Sequence, residues 1–321
     1  MKYSFVLPAY KAAYLKEAID SILNQTYKEF ELIIVNDASP EGVDAIVRSY
    51  DDPRIQYYVN AENIGGKDLV AQWNYSITYA KGTYLILASD DDVYMPEYLE
   101  KMNTLVDKYP QVNAFRPRVK RVLDSGTILE VDGFTQEHMT KLEYFYAWSR
   151  QWIGSGIPFF IFKREALMEI GGFVNYPMAW FSDDATVMKL ADNGIVVYGQ
   201  ETLFAFRHSY KNISSARNTK KVLSAKLKAT KMFYDEHINF INNYAPKNKE
   251  EFHLIFVLRW AFKRLIKKNK VRGQFKASSL GAILSCMKES IAIGCISPLY
   301  VIRCCKYPII YSIRNLFKGK K

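Results

Sequence analysis

Short apolar runs alternate with helix-periodic stretches through the first 90 residues, and this alternation limits the possible folds more than any other feature. Tyr3 to Leu7 reads as a buried strand, and Tyr14 to Asn24 as an amphipathic helix with Leu15, Ala18, Ile19 and Ile22 on one stripe. Glu29 to Val35 (EFELIIV) gives a second strand and Ile55 to Val59 a third. Gly65 and Gly66 precede a helix over about Asp68 to Ala80, and Thr83 to Ala88 (TYLILA) is a fourth strand. Strands of this kind, separated by helices, predict a parallel, doubly wound α/β sheet covered on both faces. Ligands of such sheets sit beyond the carboxyl ends of the strands, so the residues just after each strand are where chemistry is expected.

Further along, Pro96 to Tyr109 is helical with Pro96 in the first turn. Asn113 to Leu123 and Ile157 to Phe162 read as strands. Arg164 to Ile170 is a helix stopped by Gly171 and Gly172. Asp183 to Asp192 reads as a helix with an acidic first turn, and Ile195 to Tyr198 as a strand. From Ser224 onward the pattern is helical without evident strands.

The net charge of +11 becomes informative once it is located. Lys247 to Lys321 holds 17 Lys or Arg against three acids, whereas the preceding residues hold 27 bases and 30 acids. The basicity therefore belongs to a tail, and the slightly acidic main part argues against a nucleic-acid-binding protein, whose positive charge should cover the binding face. All four cysteines (Cys286, Cys295, Cys304, Cys305) also lie in the tail, so no disulfide framework is expected in the main part. The N-terminus shows no signal-peptide pattern, and a cytoplasmic main domain is expected.

Three acidic sites follow apolar segments. Asp37, after the second strand, can accept a hydrogen bond from a ligand, although Asn36-Asp37-Ala38-Ser39 is also ordinary turn chemistry. Asp90, Asp91 and Asp92 follow TYLILA; three adjacent carboxylates repel one another unless a cation or donors compensate, and a hard divalent ion would do so. The alternative is an acidic turn ahead of the next helix. Asp183 and Asp184 follow the aromatic pair Trp180-Phe181; acids are common in a first helical turn, and the functional alternative is a general base.

Taken together, the chain resembles the inverting glycosyltransferase family 2, whose fold is called GT-A. The likeness rests on an ordered series over roughly residues 3 to 215: FVLPAY at 5–10, LKEAIDSILNQTYKEFELIIVNDAS at 15–39, NIGG at 63–66, AKGTYLILASDDDVYMPEYL at 80–99, GGF at 171–173, SDDATVMKLADNG at 182–194 and FRHSYKNIS at 206–214. The resemblance implies that Pro8 and Tyr10 line a nucleotide base and that Asp37 accepts its N3–H. It implies Asp90 at the ribose and Asp91 at a Mg²⁺ or Mn²⁺ ion bridging the diphosphate. Asp92 would be a second metal-side acid or a helix-flanking partner. His208 would stand near diphosphate or metal, and Asp184 would be the catalytic base. Asp183, Gly172 and Trp180 would support the acceptor side. Many members have Arg where this chain has Trp73, so Lys67 or Arg207 would supply the phosphate-side cation.

The expected division is a catalytic domain over 1–220, with a nucleotide-sugar half of about 1–110 and an acceptor half of about 111–220, and a helical basic region over 221–321. In that region Leu254, Leu258, Ala261, Phe262 and Leu265 recur on one helical face, with Arg259, Lys263, Lys267 and Lys270 on the other. Such a helix can lie in an anionic lipid surface, whereas Ser290 to Ile302 is too short an uncharged run to span a bilayer. The expected partners are a nucleotide-diphosphate sugar, a saccharide or lipid-linked acceptor, and a membrane surface at the inner face of the plasma membrane. A nucleotidyltransferase on a related sheet is the rival reading.

Overall fold

The computed structural model describes residues 1–208 and 218–306, which form two units. The first comprises residues 1–144, 151–175 and 182–208; the second comprises 145–150, 176–181 and 218–306. The short pieces 145–150 and 176–181, expected within the catalytic domain, thus group with the helical residues.

The first unit is built on one sheet. Its strands are β1 (Tyr3–Ala9), β2 (Phe30–Asn36), β3 (Ile55–Val59), β4 (Tyr84–Leu87), β5 (Val93–Tyr94), β6 (Ala114–Leu123), β7 (Ile128–Val131), β8 (His138–Thr140), β9 (Ile161–Lys163) and β10 (Ile195–His208). Among the described residues the order is β3-β2-β1-β4-β9-β6-β10-β5, with β7 on β6 and β8 on β10. β3, β2, β1 and β4 run parallel, as continuous apolar runs predict for strands buried on both faces. Beyond β4 the pairing is mixed, since β9 is antiparallel to both β4 and β6. The helices are α1 (Leu15–Leu23), α2 (Val43–Arg48), α3 (Leu69–Ser76), α4 (Tyr98–Lys108), α5 (Lys141–Ser149, shared with the second unit), α6 (Arg164–Glu169) and α7 (Ser182–Leu190). α1 buries the expected stripe of Leu15, Ala18, Ile19 and Ile22. α3 begins at Asp68, whose side chain accepts from the backbone N–H of Ala71 at 3.0 Å.

Three boundaries differ from the sequence reading. The helix expected to reach Ala80 ends at Ser76 and tightens into a 3₁₀ turn over Ile77–Tyr79. Ile157–Phe159, read as strand, is a 3₁₀ turn: Pro158 has no N–H to give to a ladder, and pairing starts only at Ile161. The strand expected to stop at Tyr198 runs on to His208, because a register shift between Tyr198 and Phe204 lets β10 keep pairing with β6.

A buried ion pair sits in this second half of the sheet. The Arg116 guanidinium on β6 has no exposed surface and binds Asp132, and its Nη1 donates to the carbonyl of Gly154. It lies 5.0 to 5.4 Å from the rings of Tyr198, Phe159 and Phe160. Asp132 also accepts from the Tyr198 hydroxyl at 3.1 Å and from the backbone N–H of Val119 at 3.2 Å. The carboxylate therefore ties together β6, the chain just past β7, and β10.

The second unit is helical apart from one isolated bridge between Asn218 and Ser278. It contains α8 (Lys220–Asn243), α9 (Lys249–Arg264), a π-helical stretch at Leu265–Val271, α10 (Arg272–Lys276), α11 (Leu280–Ser285), α12 (Met287–Ile291) and α13 (Pro298–Cys304). Side chains of Thr219, Asn248, Ser279 and Ser297 cap the starts of α8, α9, α11 and α13. The α9 face expected to meet lipid is turned inward instead: Leu258, Ala261, Phe262 and Leu265 are buried, with Phe262 packed on Phe233 and stacked on Tyr234. An apolar stripe satisfies its need for burial against whatever is nearest, and here that is α8. The four cysteines are free thiols, two of them buried. Among the described residues no helix is long and apolar enough to cross a membrane.

Candidate active site

Carboxylates collect at the carboxyl ends of β1, β2 and β4. Asp37 directly follows β2 and is buried. Its Oδ1 accepts from Asn60 Nδ2 at 2.7 Å and the Ile64 N–H at 2.8 Å, while Oδ2 accepts from the Gly65 N–H at 2.7 Å. A carboxylate offers about four acceptor positions, so one remains after these three donors. Gly65 is required by this approach, because a Cβ there would stand 2.9 Å from Asp37 Oδ2. The NIGG segment thus folds around the acid.

Asp90 reaches across to the end of β1. Its Oδ2 accepts from the backbone N–H groups of Tyr10 at 3.0 Å and Lys11 at 2.7 Å. Burial pushes its carboxyl above the ordinary range, and those main-chain bonds pull it partly back. Tyr10 leaves its ring partly exposed beside Pro8. Asp91 accepts from the Ser89 hydroxyl and has the Lys11 ammonium 3.5 Å from Oδ2.

Asp92 is deeper. Its Oδ1 accepts from the Arg207 N–H at 2.8 Å, and its buried Oδ2 has no hydrogen-bond partner among the described residues. Burial, reinforced by the charge of Asp91, pushes its carboxyl well above the usual range. Arg207 Nε donates to the carbonyl of Asp91 at 3.0 Å, and Nη2 meets Glu17 at 2.6 Å. Its guanidinium also lies 4.2 Å from the Tyr14 ring centroid. β10 thereby props the acidic triplet from behind.

These residues suit a hard divalent cation. Asp91 offers oxygen donors near the surface, a lysine ammonium is already drawn to it, and a second buried acid stands behind it. Such an ion takes one or two carboxylates and completes its sphere with phosphate and water. Among the described residues no group of three acids, cysteines or histidines could hold one alone. His208 is exposed at the end of β10, and no hydrogen bond or ion pair joins it to the triplet. The remainder of the FRHSYKNIS segment, 209–214, lies outside the described residues.

Lys67 stands apart, exposed and paired with Glu62 at 2.6 Å. Arg207 is committed to Glu17 and the Asp91 carbonyl. The cation that stands beside the acidic triplet is Lys11, which the sequence reading passed over although it directly follows FVLPAY.

Asp184 is buried at the start of α7, and its N–H donates to Asp183 Oδ1 at 2.9 Å. Tyr144 lies within its field: burial raises the phenol first, Arg116 lowers it, and Asp184 raises it again. Gly172 closes the turn after α6, its N–H donating to the Leu167 carbonyl at 2.9 Å. Its φ of +84° suits glycine, and a Cβ there would meet Asn74 Oδ1 at 2.5 Å. Asn74 pairs with both main-chain groups of Phe173, accepting at 2.8 Å and donating at 3.0 Å. Trp73 packs edge-on against Phe173. Trp180 belongs to the second unit, where its ring faces Lys226.

Comparison with known proteins bears on the family and the fold. A glycosyltransferase of Rickettsia typhi is 40% identical over 106 residues, which cover 33% of this chain and 32% of that protein. One from Haemophilus influenzae is 28% identical over 171 residues, covering 53% and 55%. The first of these matches therefore spans only about a third of the relative's length. Among solved structures, S. aureus TarS 1–349 in complex with UDP-GlcNAc superposes with a TM-score of 0.61 at 18% identity, covering 98% of this chain and 92% of that one. The mannosyltransferase PcManGT from Pyrobaculum calidifontis, in complex with GDP-Man and Mn²⁺, gives 0.55 at 17% identity, covering 100% and 88%. At such identities the likeness speaks for the fold, the GT-A arrangement with a helical C-terminal region. The family model for glycosyl transferase family 2 matches residues 4–171, more than half of the sequence. The chain belongs to glycosyl transferase family 2.

Proposed function

We propose that this chain moves a sugar from a nucleoside-diphosphate donor, with uridine the default base, to a hydroxyl of a saccharide or lipid-linked acceptor, with inversion at the anomeric carbon. The observation that carries the reading is that Asp37 follows β2, Asp90 and Asp91 follow β4, and Lys11, just past the parallel strand β1 between them, stands 3.5 Å from Asp91. The ligands named for TarS and PcManGT support the donor class. In this reading Pro8 and Tyr10 line the base, and the remaining acceptor position of Asp37 takes its N3–H. Asp90 serves the ribose. Asp91 holds Mg²⁺ or Mn²⁺, Asp92 supports it from the interior, and His208 stands beside the diphosphate. A bound divalent ion supplies Lewis-acid charge against the leaving diphosphate. Lys11 adds positive charge on the same side. Asp184 takes the proton of the attacking hydroxyl on the face opposite the leaving group. This work falls to residues 1–220, and the helical remainder serves docking.

A donor screen tests the reading. Purified chain with Mn²⁺ is incubated with UDP-, GDP- and thymidine-diphosphate sugars, and the released nucleotide is identified. The expected product is nucleoside diphosphate from one donor class. Pyrophosphate as the product would mean nucleotidyl transfer, and no cleavage of any donor would also sink the proposal.

We further propose a cytoplasmic enzyme held at the inner face of the plasma membrane, with its acceptor in cell-surface polysaccharide assembly. The supporting feature is a different face of α9 from the one first expected. Phe252, Phe256 and Trp260, spaced by four, are 61%, 65% and 57% exposed and lie beside exposed Arg259, Lys263 and Arg264. Aromatic rings with cations suit the interface of an anionic bilayer. Phosphatidylglycerol vesicles should carry the chain down on centrifugation, whereas phosphatidylcholine vesicles should not. A Phe256→Ser/Trp260→Ser variant should bind them roughly tenfold less well. Equal sedimentation of variant and parent would remove α9 from the docking surface.

A further inference from the structure

The helical unit contains a buried cation that no carboxylate neutralises among the described residues. Lys226 on α8 is only 3% exposed, and among the described residues its Nζ has one hydrogen-bond acceptor, Asn218 Oδ1 at 3.0 Å. An ammonium carries three donors, so two are unused. Its other neighbour is the face of Trp180, whose ring centroid lies 4.6 Å away. Among the described residues no carboxylate pairs with it, and the segments 209–217 and 307–321 contain no Asp or Glu. Burying a charge without a counter-charge is expensive, and proteins seldom do it without a use. Desolvation accordingly lowers the pKa of this lysine.

A second cation converges on the same aromatic group. Lys270 Nζ lies 5.1 Å from the Phe181 ring and 5.5 Å from that of Trp148, and it too lacks a carboxylate partner among the described residues. Trp180 and Phe181 stand edge to face at 5.9 Å, and the buried indole Nε1–H of Trp180 has no acceptor among the described residues. The backbone that presents these rings is strained. Met178, Ala179 and Phe181 have φ of 62°, 53° and 68°, a left-handed region that side-chain-bearing residues seldom enter. Strain of this sort persists where a site requires it. Two ammonium groups and an idle indole N–H ask for an oxyanion of more than one charge, which phosphate provides at neutral pH. The part-exposed Trp180 ring beside them, with Phe181 held beneath by stacking on Phe233, suits the apolar C–H side of a sugar ring.

We propose that Lys226, Lys270, Trp180 and Phe181 form a binding site for a phosphate-bearing saccharide. The proposal rests on the transfer reading for one point alone, that the saccharide is the acceptor; Trp180 stands four residues ahead of Asp184 in the chain.

The test is a binding measurement that needs no turnover, so it stands or falls apart from donor cleavage. The full chain is titrated with glucose 1-phosphate, with glucose and with inorganic phosphate, read by calorimetry and by tryptophan fluorescence. Glucose 1-phosphate should bind about tenfold more tightly than either part alone and quench the fluorescence. Lys226→Met, which keeps the length of the side chain, should lose at least about tenfold in affinity while unfolding at or above the parent's temperature. Should that variant fail to fold, Lys270→Gln and Trp180→Phe carry the test, each expected to weaken binding about threefold or more. Unchanged affinity in the folded variants overturns the site. So does binding of inorganic phosphate as tight as that of the sugar phosphate, or displacement of the sugar phosphate by UDP at equal concentration.

Discussion

Asp184→Asn should stop sugar transfer by a hundredfold or more, on the order of what losing a general base costs, while donor affinity stays within about twofold. Asparagine keeps the size and one hydrogen-bonding oxygen of the acid but cannot take a proton from the acceptor hydroxyl. Asp184 is buried at the start of α7, where Asp183 accepts its N–H, and the buried Tyr144 lies within its field. The check is a pair of measurements on one preparation: donor binding by calorimetry with Mn²⁺, and product formed per enzyme under saturating donor. A variant that transfers at nearly the parent rate would leave Asp184 without its role. One that also loses the donor would make it part of the nucleotide site instead.

The second large effect is expected in stability. Asp132→Ala removes the counter-charge of a guanidinium with no exposed surface, and should cost roughly 3–5 kcal/mol. That is a large part of the 5–15 kcal/mol typical of folded proteins, so the sheet-bearing unit should unfold at a much lower urea concentration. Replacing both partners, Arg116→Met with Asp132→Leu, should recover more than half of the loss, because an apolar pair leaves no stranded charge. Urea unfolding followed by tyrosine and tryptophan fluorescence measures all three chains. A loss below about 1 kcal/mol in the single variant, or a double variant no better than the single, would mean that water reaches Arg116 and the pair is not what holds β6.

The first half of the sheet was legible in the sequence because β1, β2 and β4 are buried on both faces and therefore read as unbroken apolar runs. The acids after β2 and β4 followed from the same reading, since a parallel sheet places its ligands at those ends. β5 and β9, two and three residues long, carry no period to detect. The burial of Arg116 was hidden for another reason: its partner Asp132 stands beyond a hairpin, and alternating bases on a strand ordinarily face water. Lys11 was missed because its meaning depends on Asp91, which is remote in sequence. In α9 the apolar stripe was read correctly, but sequence periodicity does not say whether lipid or protein covers it; α8 does. The cation at Lys226 had no sequence signal at all, since its character comes from the lack of acids around it in space.

Asp37 and Asp90 grip the peptide N–H groups of Tyr10, Lys11, Ile64 and Gly65, with the Asn60 amide as a side-chain partner of Asp37. Any amino acid except proline brings that N–H, so this grip leaves evolution free to exchange residues 10, 11 and 64. Glycine at 65 is different, because the crowding there forbids even a methyl group. Drift within the lineage is thus channelled: the specificity of the pocket wall can be rewritten residue by residue while the two acids and one glycine keep its outline.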